Sequence, residues 1–292
     1  MAQTEKLIHI CETNADLSEP QTMGFLGGQL SFVCQRSPDK PTINEDSFAA
    51  VETSDTSGVI LVADGCGGEA HGAAASKISI ELLHNSLCKL AEQEEVSGED
   101  VRSCIVSNLE KANEMVLQLG SGAATTIAVI EIQGERYRTY HAGDTQIVSL
   151  TGEGMLLSLP HAPVGYGVAA GILSEQEAFT HEDRHYVANV LGSPDTFFDM
   201  SVARPLPTLP LVVASDGLFD NVQTEELYEL MSREGLTARE LTESCFQLAQ
   251  ARMLRAIEQQ AINPMPIGKP DDLTIACFQP GVPLRVEQGQ SD

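Results

Sequence analysis

The sequence is poor in positive charge. Its 292 residues contain 17 lysines and arginines against 42 aspartates and glutamates, which gives a formal net charge of −25. Such a surplus repels the phosphates of nucleic acids and the headgroups of anionic membranes, so we expect neither as a partner. The carboxylates themselves leave two interpretations open, a solvated surface or a site that gathers cations.

Paired cysteines and long apolar runs are also missing. The seven cysteines are scattered singly without a Cys-x-x-Cys pair, so neither a disulfide framework nor a zinc ribbon is indicated. No run approaches eighteen apolar residues, and the first residues lack the basic start and apolar core of a signal peptide. We therefore expect reduced thiols and a cytoplasmic protein. With 42% hydrophobic residues, the chain can still bury a sizeable core.

Apolar periodicity predicts the order of the secondary-structure elements. Helical spacing predicts helices at residues 70–93, 98–119, 223–232 and 237–260. Strand-like runs lie at residues 29–35, 46–53, 58–64, 125–133, 136–143, 145–150, 209–216 and 273–278, with a weaker candidate at 185–191. The strands come in blocks joined by short turns, and the helices come in pairs. This order indicates an α+β fold of antiparallel sheets flanked by helices, and it disfavours βαβ units.

The chain shows neither a low-complexity linker nor an internal repeat. We therefore expect one domain over residues 26–280, between polar ends at 1–25 and 281–292 that we expect to be mobile. Residues 161–193 are too rich in glycine and polar residues for a core element, and we refer to them as the flap-like region. His181 and His185 within it lack the context of a helical metal motif, so a surface loop is the interpretation that we favour there.

Carboxylates stand at the ends of apolar strands in several places. They are found in NED at 44–46, at Asp64, at Asp216 and in KPDD at 269–272, and Asp144 of HAGDT is a further candidate. A single Asp-Gly is ordinary turn chemistry, but strands fix their terminal side chains, so several such carboxylates can converge. Converging carboxylates repel one another unless divalent cations compensate their charge. Oxygen ligands of this kind suit Mg²⁺ or Mn²⁺.

The glycines after Asp64 invite a different interpretation. Residues 65–70 (GCGGEA) match the GxGxx[GA] fingerprint of dinucleotide-binding proteins and lie between a predicted strand and a predicted helix. That fingerprint needs a second parallel strand after the helix, ending in an acidic residue that binds the ribose. Here the first helix is followed by a second helix, so the nucleotide interpretation fails.

Six motifs in order carry a resemblance to a known family. They are NEDSF (44–48), VADGCGG (62–68), ATTIAVI (124–130), HAGDT (141–145), LVVASDGLFDN (211–221) and PDDLTIACF (270–278). Together, over about residues 25–280, they resemble the metal-dependent protein serine/threonine phosphatases of type 2C, in a bacterial-like form. Each motif alone is unspecific, whereas the ordered set is distinctive. The resemblance implies a four-layer α-β-β-α sandwich, with two antiparallel sheets flanked by helix pairs.

The resemblance also implies a centre of two Mg²⁺ or Mn²⁺ ions. In it Asp64 would bridge both ions, and Asp46 and Asp64 would be the catalytic residues. Metal-activated hydroxide would hydrolyse phosphoserine and phosphothreonine on a protein partner, without a covalent phosphoenzyme. The implied metal ligands are Glu45, Asp46, Asp64, the carbonyl of Gly65, Asp216, Asp271 and, for a third and more weakly held ion, Asp144.

Departures from the family pattern leave parts of the mechanism open. Family members usually carry an arginine where this chain has Pro41, so Lys40 and Arg36 are candidates for gripping the phosphate. Cys66 stands where many relatives have a histidine, either as a packing residue or as a proton donor. His71, one turn further on, either replaces the missing histidine as proton donor near the substrate or has no catalytic role.

A catalytically inactive relative is the alternative to an active enzyme. Such a relative would bind a phosphorylated protein as a regulatory module, which Pro41 favours and the retained carboxylates disfavour. In either case we expect a monomer whose partner is a phosphoprotein.

Overall fold

The computed structural model describes residues 7–66, 70–120, 122–259 and 268–281. The helices are α1 (Ala70–Ala91), α2 (Gly98–Leu119), α3 (Pro163–Ala169), α4 (Glu175–Phe179), α5 (Asp216–Phe219), α6 (Thr224–Met231) and α7 (Ala238–Gln259). The strands are β1 (His9–Thr13), β2 (Gln21–Phe25), β3 (Gly28–Gln35), β4 (Ser47–Ser54), β5 (Ser57–Ala63), β6 (Gly65–Cys66), β7 (Ala124–Thr125), β8 (Ile127–Gln133), β9 (Arg136–Ala142), β10 (Gln146–Thr151), β11 (Gly154–Leu157), β12 (Asp199–Met200), β13 (Arg204–Pro205), β14 (Leu211–Ala214) and β15 (Leu273–Gln279).

Two large antiparallel sheets form the centre of the described molecule. One has seven strands in the order β1-β4-β5-β8-β9-β12, with β13 also paired to β9. The other has six strands in the order β11-β10-β14-β15-β3-β2. The short strands β6 and β7 pair with each other, so that Gly65 lies opposite Thr125. All of these ladders are antiparallel, as predicted from the short turns.

Three apolar layers hold the sandwich together. The first lies between the two sheets and includes Phe32, Phe48, Ile60, Val213 and Phe278. The second packs the seven-stranded sheet against α1 and α2, through residues such as Leu61, Leu83 and Ile105. The third packs the six-stranded sheet against α6 and α7, through residues such as Val212, Leu227 and Met253. The architecture is therefore the expected four-layer α-β-β-α sandwich.

The central strands read as continuous apolar runs because both of their faces are covered. Neighbouring residues on β14 show this directly, since Val212 belongs to the layer facing the helices and Val213 to the layer between the sheets. Successive side chains of a strand point to opposite faces, so an apolar residue is needed at each position. Such strands position whatever follows them with little freedom.

The N-terminal residues correct one prediction. Residues 1–25 were expected to be mobile, but residues 9–13 and 21–25 form β1 and β2, one on an edge of each large sheet. In β1, His9 lies opposite Val51 and Thr13 opposite Ser47. Both strands are short and only partly apolar, so their pairing partners, and not their own pattern, define them. The expected mobile tail at 281–292 lies outside the described residues except for Gly281.

The flap-like region contains two short helices, α3 and α4, separated by turns. The weak strand prediction at 185–191 was wrong, because among these residues only Leu191 makes a β-bridge, to Thr125. Leu191 is fully buried and packs in the layer beneath α1 and α2. Its apolar neighbours in sequence gave a strand-like pattern, although the segment is a loop anchored by one core residue.

Candidate metal centre

Both large sheets deliver carboxylates to one place. Asp46 immediately precedes β4 and Asp64 follows β5, both in the seven-stranded sheet. Asp216 follows β14 by two residues, and Asp271 precedes β15, both in the six-stranded sheet. Asp144 lies in the turn between β9 and β10, which connects the two sheets. We refer to these five side chains as the carboxylate cluster.

Asp64 lies at the electrostatic centre of the carboxylate cluster. Burial raises its pKa well above the usual value, and the charges of Asp46, Asp216, Asp271 and Asp144 raise it further. A group that senses all four neighbours must lie near each of them. The structure thus brings together the five aspartates that the sequence placed at strand ends and at the HAGDT turn.

Burial and neighbouring charges also raise the pKa of two further members of the cluster. Burial, then the charges of Asp216 and Asp220, raise the pKa of Asp144 to about 8. Burial and the charge of Asp216 raise the pKa of Asp271 to about 7. Asp216 is the exception, because Lys269 and a hydrogen bond from Asp64 outweigh its burial and lower its pKa. One carboxylate therefore stays ionised while its neighbours resist ionisation, which is the electrostatic signature of a cation site.

Asp46 is buried with one oxygen satisfied and the other not. Its Oδ2 accepts a hydrogen bond of 2.8 Å from the hydroxyl of Ser215, which comes from the opposite sheet. Its Oδ1 is buried without a hydrogen-bond partner among the described residues. Burial, then the charge of Asp272, raise the pKa of Asp46 well above its usual value. A buried carboxylate oxygen without a donor needs a cation or water to offset its desolvation.

Gly65 and Gly72 allow a close backbone approach beside the cluster. A Cβ at Gly72 would lie 2.5 Å from Oε1 of Glu45 and 2.8 Å from the carbonyl oxygen of Gly65. Only a glycine leaves that space open, so the start of α1 can pack against the end of β5. Two oxygens that were predicted as metal ligands consequently converge on the same small space. Gly65 and Gly72 thus serve a close approach of two backbone segments.

Lys40 enters the site from the loop before β4. Its ammonium binds Glu45 and lies 2.6 Å from Oδ2 of Asp272. Burial alone would lower the pKa of Lys40, but the hydrogen bonds to Asp272 and Glu45 raise it, so the side chain carries a charge. Of the other substrate-binding candidates, Arg36 lies 3.6 Å from Asp16 and donates to the carbonyl of Thr42, and His71 is exposed on α1. The structure thus brings Lys40, but not Arg36, into contact with a predicted ligand.

Cys66 lies beside the cluster in strand β6. Burial raises the pKa of its thiol to about 12, and the charges of Asp144, Asp216 and Glu45 contribute. The thiol is therefore protonated at neutral pH and is not an activated nucleophile. A protonated thiol is compatible with both roles that the sequence left open.

Three residues of the site were missed by the sequence interpretation as functional groups. Lys269 lies within 3.1 Å of three aspartates, Asp216, Asp220 and Asp271. Asp272 clamps the loop before β4, because it accepts hydrogen bonds from the backbone of Ser37 and Glu45 as well as from Lys40. The third, Asn221, holds the backbone of Lys269. A signal for Lys269 was present, since it stands two residues before Asp271 in an otherwise acidic motif.

A second group of metal-binding residue types lies away from the cluster. Among the described residues, only His141, His161 and Asp199 offer three ligand atoms within 4.8 Å of one another. However, Nδ1 of His161 accepts hydrogen bonds from Gly143 and Asn189, which leaves its proton on Nε2, facing Asp199 at 3.2 Å. A protonated ring nitrogen cannot bind a metal, so this group fastens the flap-like region to the HAGDT turn. The oxygens of the carboxylate cluster are more widely spaced, as ligands shared between ions and water would be.

Comparison with known proteins agrees with this architecture. Residues 38–258 match the family model described as protein phosphatase 2C. The serine/threonine phosphatase stp of Listeria innocua is 24% identical over 196 residues, covering 64% of this chain and 77% of the relative. The serine/threonine phosphatase of S. agalactiae, a solved structure, has a TM-score of 0.69 at 23% identity, over 85% of this chain and 98% of that one.

A further solved structure contains metal ions. It is the catalytic domain of the serine/threonine protein phosphatase PstP in complex with two manganese ions, with a TM-score of 0.64 and 20% identity, over 86% of this chain and 96% of that one. The fold and the matching family model define a class of protein phosphatases. The chain belongs to the protein phosphatase 2C family of serine/threonine phosphatases. No helix in the described part of the chain is long and apolar enough to cross a membrane.

Proposed function

We propose that this protein hydrolyses phosphoserine and phosphothreonine on proteins with the help of two Mg²⁺ or Mn²⁺ ions. The observation that carries the proposal is the convergence of four aspartates, Asp46, Asp144, Asp216 and Asp271, on Asp64. The relative PstP, solved with two manganese ions, supports the choice of metal. The negative charge of the chain would favour substrate segments that are neutral or basic around the phosphorylated residue.

The residues of the site fit divalent cations. The donors are all oxygens, which suits Mg²⁺ and Mn²⁺ and disfavours softer metals. Asp46 presents a buried oxygen that no described donor reaches, and Gly72 leaves room where oxygens of Glu45 and Gly65 converge. Cations would also relieve the repulsion that raises the pKa of most of the cluster. The residues that would hold the ions are Glu45, Asp46, Asp64, Gly65 through its carbonyl, Asp216 and Asp271.

The chain's own groups divide the work of catalysis. Bound ions would supply hydroxide at neutral pH and would offset the charge of the phosphoryl oxygens. Asp64 would orient both halves of the site, since the charges of Asp46, Asp216, Asp271 and Asp144 all act on it. Ser215 holds Asp46 in place from the opposite sheet with a 2.8 Å hydrogen bond. Lys40, charged and close to Glu45, is the described cation best placed to attract a substrate phosphate.

Metal-dependent hydrolysis of a phosphopeptide tests the proposal. We expect Mn²⁺ to activate the wild type, EDTA to abolish the activity, and Asp64→Ala to lower kcat/KM by about 10³-fold. Asp55→Asn is a matched control, because Asp55 is exposed in the turn between β4 and β5. Full activity in EDTA, or in Asp64→Ala, would contradict the proposal.

The regulatory module remains the second candidate function. It is favoured by one observation: the lysine near the usual arginine position is already bound to Glu45 and Asp272. Such a module would bind Mn²⁺ and a phosphopeptide in calorimetry but would release no phosphate. A protein with a purely structural role would bind neither, so calorimetry separates it from the other two, and phosphate release separates the enzyme from the module.

A further inference from the structure

Lys269 occupies an unusual position for a positive side chain beside expected metal ligands. Its Nζ lies 2.7 Å from Oδ2 of Asp271, 2.9 Å from Oδ2 of Asp216 and 3.1 Å from Oδ2 of Asp220. Three carboxylates therefore surround the ammonium.

The backbone of Lys269 is held in place by a buried amide. Oδ1 of Asn221 accepts a hydrogen bond of 3.0 Å from the Lys269 nitrogen, and Nδ2 of Asn221 donates to the Lys269 carbonyl at 2.8 Å. The same Nδ2 donates to the carbonyl of Gly217, in α5 directly after Asp216. Asn221 is fully buried. The Asn221 amide thus connects the backbone of Lys269 to the segment that carries Asp216.

The turn before the lysine is equally constrained. Gly268 has a φ of +102°, and a Cβ there would lie 2.9 Å from Oδ1 of Asn221. A side chain at this position would be strained and would displace the amide that holds Lys269. Gly268 and Asn221 therefore fix the backbone from which the Lys269 ammonium reaches the carboxylate cluster.

The position of the ammonium bears on the third metal ion. The sequence assigned that weaker ion to Asp144 and Asp216. Lys269 binds Asp216, one of these two carboxylates, directly. A divalent ion held by the same two carboxylates would lie close to the ammonium, and like charges at such a distance repel strongly in a buried site.

We propose that the Lys269 ammonium takes the place of the third metal ion, so that this enzyme holds two ions and no weaker third one. The proposal rests on the proposed function, since it assumes that the two ions bind. Lys269 acts here as a positioning residue. Its charge offsets part of the negative charge of Asp216, Asp220 and Asp271, and unlike a weakly held ion it does not exchange with the solvent. The chain would then complete its site at lower metal concentrations than a site that needs a third, weakly held ion.

Counting bound Mn²⁺ by calorimetry and by equilibrium dialysis tests the proposal without reference to activity. We expect two ions in the wild type and a third, weaker ion in Lys269→Met, which keeps the length of the side chain but removes its charge. Lys269→Arg should restore a count of two. Lys77→Met is the matched control, because Lys77 lies on the exposed face of α1 with Glu81 and loses the same charge there.

Melting temperatures supply a second readout. In EDTA, Lys269→Met leaves three carboxylates without their cation, so it should melt about 5–10 °C below the wild type. Excess Mn²⁺ should remove most of that difference, because the third ion replaces the ammonium. Lys77→Met should melt close to the wild type under both conditions.

The outcomes separate the inference from the function on which it rests. A third ion in the wild type, or equal counts in the wild type and Lys269→Met, would overturn the inference and leave the proposed function standing. Tighter binding of the first two ions in Lys269→Met, without a third, would also overturn it, since the lysine would then compete with the essential ions. A wild type that binds no Mn²⁺ would overturn the proposed function as well.

Discussion

Asp271 and Asp272 are neighbours in the chain, yet their side chains serve opposite edges of the site. Asp271 is about one-third exposed, and its Oδ2 binds Lys269 at 2.7 Å. Asp272 is 3% exposed, and it accepts hydrogen bonds from Lys40 and from the backbone nitrogens of Ser37 and Glu45. Successive residues entering a strand point to opposite sides, which sends one carboxylate to each lysine.

The difference shows how to distinguish a metal ligand from a structural carboxylate. Asp272 is saturated by donors from the protein, so a metal ion would have to displace them. Asp271 has fewer donors, since its Oδ1 accepts from the backbone nitrogen of Asp272 and its Oδ2 binds Lys269. Fewer protein donors and greater exposure favour Asp271 as the proposed metal ligand of the pair.

Of the two neighbouring aspartates, Asp271 gives the larger effect on activity when it is replaced. Asp271→Asn removes a charged ligand while keeping the size of the side chain, so Mn²⁺ affinity and kcat/KM should each fall by about 100-fold. Stability in the absence of metal should hold or rise, because a repelled carboxylate is lost. Calorimetry with Mn²⁺, phosphopeptide kinetics and urea unfolding measure these quantities. An Asp271→Asn enzyme with unchanged metal affinity would reverse the assignment of the two aspartates.

Replacing Asp272 should instead destabilise the fold. Asp272→Ala leaves Lys40 with one partner and leaves two buried backbone N–H groups without an acceptor. We expect the free energy of unfolding to fall by about 3 kcal/mol in urea titrations. Asp272→Asn is the matched control, since its amide oxygen can still accept from Ser37, and it should lose about half as much. A variant as stable as the wild type would mean that the loop is held elsewhere.

The pH dependence of stability in the metal-free protein tests the electrostatic repulsion at Asp271. In the folded chain the pKa of Asp271 is raised to about 7 and that of Asp144 to about 8, above the values of the unfolded chain. The folded state then keeps protons that the unfolded chain has released. The free energy of unfolding therefore falls as the pH rises through these two pKa values. In EDTA, the free energy of unfolding should fall by about 4 kcal/mol between pH 6 and pH 8.

Urea unfolding at the two pH values, with and without Mn²⁺, measures this effect. Mn²⁺ should abolish the fall, because the ion keeps the carboxylates ionised in the folded state. Asp271→Asn should reduce the fall, since one of the two titrating groups is absent. Stability in EDTA that rises with pH would show that the carboxylates of the cluster do not repel one another as the structure indicates.

The sequence predicted the carboxylate cluster better than its surroundings, for a physical reason. Asp46, Asp64, Asp216 and Asp271 sit next to apolar strands whose pattern is local, so their convergence follows from the sheet order. Lys269 was missed because its position depends on the buried amide of Asn221, 48 residues earlier in the chain. The edge strand β1 was missed for the same kind of reason, since it is defined by pairing with β4 and not by its own pattern.

Replacing Lys40 should have the smallest effect, and it tests the other edge of the comparison. Lys40→Met removes the charge that we expect to attract the substrate phosphate, so KM for a phosphopeptide should rise about fivefold with kcat nearly unchanged. Asp272 keeps two backbone donors in this variant, so the loss of stability should be smaller than in Asp272→Ala. Lys40→Arg should restore KM, because the guanidinium offers phosphate a fork of donors. An unchanged KM in Lys40→Met would make Lys40 a structural partner of Asp272 alone.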